Sequence, residues 1–137
     1  MENKRKHLEF IQAAINRMAG NLFYLKGWTI TLVSALFAIS AKDAHPEYMY
    51  IAYLVVFIFW ILDGYFLSRE RMFRCLYEDV RKLQEEEIDF SMNTSKYGIY
   101  KRNSWISSMG SVSLLWFYPS LIIGMLVVMN HIAICIK

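Results

Sequence analysis

Apolar residues gather in three runs with few or no charges, at 27–41, 48–62 and 103–130. Such runs read as membrane spans, although the first two fall short of the ~20 residues a span needs. Extending each past one charged residue, Lys26 or Asp63, supplies the missing length. Upstream of the first run the pattern is already helical. Leu8, Ile11, Ile15, Met18, Leu22, Leu25, Thr29, Leu32, Leu36 and Ile39 follow alternating spacings of three and four, a heptad seam through both the polar and the apolar half. The spacing predicts one helix over 4–41.

Within 42–48, Pro46 ends the first helix and suits the first turn of a second. The second helix is expected over 46–88. It is apolar to Leu62 and then amphipathic, with Phe73, Leu76, Val80 and Leu83 on one face. Gly64 interrupts it at a cost of only ~1 kcal/mol relative to alanine. Counted from His45, the two helices form arms of equal length reaching to Glu2 and Ile88. Each spans roughly 60 Å, about twice the hydrocarbon thickness, so half of the hairpin projects into water.

Residues 89–104 are rich in turn formers and connect the hairpin tip back to the membrane. The third apolar segment, 105–136, exceeds one span, and Pro119 is expected to kink it. Its first part carries Ser104, Ser107, Ser108, Ser111 and Ser113, which suits an oblique or protein-buried stretch. The fold class is therefore an all-α membrane protein: a single transmembrane domain of a long helical hairpin and a third, Pro-kinked transmembrane helix.

Charge orients this arrangement. Thirteen of the fifteen Lys/Arg residues lie in 1–26 and 69–102. By the positive-inside rule the N-terminus and 69–104 face the cytosol, and the 42–48 turn and the C-terminus lie outside. With 137 residues, 56% of them hydrophobic, the chain is one domain, and no cleavable signal peptide is expected. Cys75 and Cys135 fall on opposite sides of the membrane, which argues against a disulfide between them.

Two sets of residues carry candidate chemistry. Lys26 and Asp63 stand 19 positions before and 18 after His45, so they share one depth and are expected to form an ion pair at the inner boundary, a candidate gate. Arg69, Arg71 and Arg74, with Lys101 and Arg102 returning to their level, form a basic girdle suited to phosphate, beside which Tyr77, Tyr97 and Tyr100 offer stacking faces. Ordinary attraction to anionic lipid explains the same charges. Glu85, Glu86, Glu87 and Asp89 make the far tip acidic and push any polyanion towards the membrane. Trp28, Trp60, Trp105 and nearby tyrosines read as interfacial anchors. His7, His45 and His131 are too scattered for a metal site or triad, and neither a phosphate-cradling glycine loop nor a zinc signature occurs, so neither catalysis nor a cofactor is expected.

The stretch Leu62-Asp-Gly-Tyr-Phe-Leu-Ser-Arg-Glu-Arg-Met-Phe-Arg-Cys-Leu-Tyr-Glu-Asp-Val-Arg81, preceded by the apolar run from Tyr48, resembles small membrane effectors of bacterial anti-phage defence that act beside a nucleotidyltransferase. The resemblance covers roughly residues 20–85. It is closest to Hailong-type effectors and more distant from SLATT-type two-span effectors, whose layout lacks the third apolar segment. It implies an oligomeric pore in the inner membrane, governed by a nucleotide or short DNA oligomer made by a nucleotidyltransferase partner. A heptad seam this long on a 16.2 kDa chain is hard to bury within one protomer, which points to a homo-oligomer, with a tetramer favoured. The competing expectation is a non-pore anchor that recruits a soluble partner through the 69–88 helix.

Overall fold

The computed structural model describes residues 1–43 and 47–135. The expected turn at His45 and Pro46 and the C-terminal Lys137 lie outside them. Four α-helices appear in order: α1 (Glu2–Asp43), α2 (Glu47–Lys82), α3 (Trp105–Met109) and α4 (Val112–Cys135). Short 3-10 turns at Glu85–Glu87, Ser95–Ile99 and Lys101–Asn103 punctuate the connector. No strand occurs among the described residues. Three of these helices, α1, α2 and α4, are long and apolar enough to cross a membrane. The chain is an all-α membrane protein.

α1 and α2 form the expected hairpin, and part of the heptad seam lies inside it. Ile11, Ile15 and Thr29 are buried, whereas Phe23, Tyr24, Trp28 and Ile30 on other faces are exposed. Ile39 at the far end of the seam is also exposed, and one protomer therefore covers part of its own seam. The physical reason is that α2 runs antiparallel along nearly the whole of α1 and supplies the matching face.

Two apolar clusters stand apart among the described residues. The first, within the spans, joins Val33 of α1, Ala52 and Val56 of α2, and Leu114, Tyr118 and Met125 of α4. The second lies in the polar arms and joins Ile11 and Ile15 to Leu76, Val80 and the connector's Tyr97. Lys26 and Asp63 sit between the two.

α2 ends at Lys82 rather than near Ile88. No glycine or proline stops it. Instead the Lys4 ammonium donates to the Leu83 carbonyl at 2.8 Å, and the Gln84 amide donates to the Glu87 carboxylate at 2.8 Å, so side chains take up the groups a further turn would pair. Glu85 then accepts from the Met1 ammonium at 2.8 Å and the Asn3 amide at 2.8 Å, closing the tip onto the start of α1. Beyond it Phe90 adopts φ 54°, an uncommon left-handed conformation for a non-glycine residue, and its ring packs against His7 and Phe10.

The third apolar segment is interrupted near its start. Helix α4 runs through Pro119, and the interruption falls at Gly110–Ser111, between α3 and α4. Proline removes the amide at 119 that would pair with the Leu115 carbonyl, and the Ser120 hydroxyl bonds back to the Trp116 and Phe117 carbonyls at 2.5 and 2.9 Å.

Candidate functional site: a buried ion pair above a cationic cavity

The ion pair expected from hairpin counting is formed. Lys26 Nζ lies 2.8 Å from Asp63 Oδ2, with the Asp63 side chain fully buried and that of Lys26 22% exposed. A third member was not anticipated. The Tyr118 hydroxyl, buried on α4, donates to the same oxygen at 2.8 Å. Asp63 Oδ1 has no partner among the described residues. One carboxylate thus ties α1, α2 and α4 together at a single depth, with one oxygen doubly bonded and the other bare. Such an arrangement is costly unless charge is balanced, and Lys26 balances it.

Tryptophans expected as interfacial anchors hold α3 in place instead. Trp60 Nε1 donates to the Met109 carbonyl at 3.1 Å, and Trp105 Nε1 donates to the Ile61 carbonyl at 3.0 Å. The Trp60 ring also stacks on Tyr118, 5.7 Å between centroids and 10° apart. Trp28, by contrast, remains exposed, as an anchor would be. Gly64 lies where α3 crosses α2, and a Cβ there would overlap Met109 Cγ, so that side chain would have to shift.

In the polar arms a cavity of about 360 Å³ opens between α2 and the connector. Arg71, Arg74 and Arg102 line it, together with Tyr97, Tyr100 and Asn103. Arg69 and Lys101, expected in the same girdle, are not among its lining residues; the Arg69 guanidinium lies over the Tyr65 ring at 5.1 Å. The reason is helical phase: Arg71 and Arg74, three apart, share a face, whereas Arg69 turns away. Tyr77 does not line the cavity either.

The three cavity arginines are not equivalent. Arg74 is paired with Glu70, at 2.6 Å through Nη2 and 2.8 Å through Nε. Arg71 Nη1 donates to the Arg102 carbonyl at 2.7 Å and to the Ser108 hydroxyl at 3.3 Å. Burial, and then the nearby Arg102 charge, hold the Arg71 pKa below the usual guanidinium range. Two guanidinium groups that repel each other across a cavity make a receptive place for an anion. Carboxylates share the wall: Glu78 and Asp79 also line it. Asp79 is engaged, accepting from the Tyr97 hydroxyl at 2.7 Å and from Lys96 at 3.3 Å. Those bonds, the tyrosine's first, lower its pKa.

Connector residues clamp the cavity floor. The Ser68 hydroxyl donates to the Asn103 carbonyl at 2.5 Å, and Asn103 Nδ2 donates to the Tyr97 carbonyl at 3.0 Å. Tyr97 and Tyr100 stack at 6.5 Å and 23°. A continuous path of contacts results, from the cavity through Arg71 and Ser108 along α3 to Met109, then through Trp60 and Tyr118 to Asp63 and Lys26. Among the described residues, no group of His, Cys, Asp and Glu is arranged to hold a metal ion. No protein-family model, curated protein or solved structure matches this chain.

Proposed function

We propose that the protein is an oligomeric pore-forming effector of anti-phage defence in the bacterial inner membrane, gated from the cytosol by a nucleotide-derived or oligonucleotide anion. The observation that carries the reading is the path joining a cationic, tyrosine-lined cavity to a buried ion pair between spans. An anion drawing Arg71 away from Ser108 would loosen α3 on α2. Through Trp60 and Tyr118 that loosening would reach the carboxylate that ties the three spans. The lysine and arginine excess sets the polar arms in the cytosol, where such a ligand is made.

The three spans of one chain share one apolar cluster, so the water-filled passage of this proposal runs between copies, four of them in a tetramer. The lipid-facing surfaces of α1 and α4 are available for that contact. A recruiting scaffold would need the apolar face of the 69–88 region. Leu76 and Val80 of that face are buried within the chain, which gives the scaffold reading no comparable support.

Dye-loaded liposomes containing the full chain test the proposal. Leakage is expected at several copies per vesicle, altered by short deoxynucleotide oligomers or mononucleotides added outside, and changed by Lys26→Met. Intact vesicles at every protein density would sink the pore reading.

A further inference from the structure

We propose that the groove between α1 and α4 holds an acyl chain of an anionic phospholipid, with its phosphate at the Lys26 end. The groove encloses about 390 Å³ and is walled by Val33 and Phe37 of α1 and by Phe117, Leu121, Gly124 and Met125 of α4. Its lining is almost wholly hydrocarbon. The Ser120 hydroxyl in its wall is spent on the Trp116 and Phe117 carbonyls of its own helix. A Cβ at Gly124 would meet nothing within 4 Å, so the glycine leaves a notch in the wall that no side chain of the chain fills.

The groove lies along two membrane-crossing helices, so the medium that reaches it is lipid. Charge at one end selects which lipid. Lys26 Nζ stands 5.8 Å from the ring centroid of Phe117, the groove residue nearest the polar arms. Of its three N–H groups, one is directed at Asp63 at 2.8 Å and one grazes the Leu22 carbonyl at 3.5 Å. The third is left for an outside acceptor, and the ammonium keeps partial exposure. Asp63 is fully buried behind it, so the groove mouth presents a cation and no carboxylate. Basic pockets between spans at this depth bind anionic headgroups. The inference stands apart from the pore reading, since a lipid site is expected whether or not the protein conducts.

Native mass spectrometry of the full chain in micelles doped with phosphatidylglycerol or phosphatidylcholine of the same acyl length tests it. One phosphatidylglycerol per protomer should be retained, with about five-fold preference over phosphatidylcholine, the factor one juxtamembrane cation confers. Gly124→Phe should fill the notch and remove the bound lipid while circular dichroism and the oligomeric state stay unchanged. Should that variant fail to fold, Ser34→Phe on the opposite wall reads the same groove. Equal retention of both lipids, undiminished binding in both variants, or loss of dimers in place of lipid would each overturn the proposal.

Discussion

Removing the Lys26 charge should leave the Asp63 carboxyl group between helices with only the Tyr118 hydroxyl to support it. Stripping one partner from a buried ion pair costs about 3–5 kcal/mol. Placing an unpaired aspartate within a span costs about 2.5–3.5 kcal/mol on insertion scales. The two ranges meet near 3 kcal/mol, which is the expected loss for Lys26→Met. Asp63→Asn should cost less, about 1–2 kcal/mol, because the amide still accepts from Tyr118 and a freed Lys26 can extend to water. The double variant has no charge left to desolvate and should resemble Asp63→Asn alone. A double-mutant cycle measured by reversible unfolding in mixed micelles, followed by circular dichroism, should therefore show coupling of about 2 kcal/mol or more. Additivity within ~0.5 kcal/mol would mean that the two charges do not sense each other, and the tie between spans would have to be abandoned.

Gly64→Val should destabilise by about 1–3 kcal/mol through overlap with Met109, and Met109→Ala should restore most of that loss; a variant at wild-type stability would refute the close crossing. Arg71→Gln and Arg102→Gln should each weaken mononucleotide binding by roughly ten-fold in fluorescence titrations, one charged hydrogen bond apiece, whereas Arg69→Gln, outside the cavity, should have little effect. Equal losses at all three positions would favour a diffuse field over a defined cavity. Asp79 and Glu85 both have lowered pKa values, Asp79 chiefly through the Tyr97 hydroxyl and Glu85 chiefly through the N-terminal ammonium. Their stabilisation is present above the ordinary carboxylate pKa of about 4 and is lost as pH falls through the lower folded values. Hydrogen exchange should show the Asn3 amide and the connector opening as pH falls below the ordinary carboxylate range, after correction for intrinsic rates. Unchanged protection there would contradict the assignment.

The hairpin was readable because two periodicities agree: the heptad spacing in α1 and the equal distance of Lys26 and Asp63 from His45. Position along a helix is a matter of counting, and the count found the ion pair. Tyr118 escaped because it lies 55 residues from Asp63 within an apolar run, and nothing in local spacing marks one tyrosine there as a partner. The early end of α2 escaped for a similar reason. Leu83 continues the apolar face, and only Lys4, folded back from the far end of the chain, and Glu87 make stopping favourable. A kink was expected at Pro119, which lies inside α4, whereas the interruption at Gly110–Ser111 carries no proline to mark it. The basic girdle was visible as composition. Which of its members share a cavity depended on where the connector returns, and that path is written in 3-10 turns too short to leave a period.

The depth of Asp63 has a further consequence for the surrounding bilayer. From Lys26 to the end of α1 at Asp43 the helix rises roughly 25 Å, and the stretch of α2 from Glu47 to Asp63 is similar. Helix α4, with 24 residues, is roughly 36 Å long. The hydrocarbon core of an ordinary bilayer is about 30 Å thick, so the hairpin is too short for it and α4 too long. No single thickness suits both. Mismatch of this kind is met by local thinning of the bilayer beside a short stretch and by tilt of a long one, each at a cost of fractions of a kcal/mol per Å, so stability should vary with the length of the surrounding acyl chains.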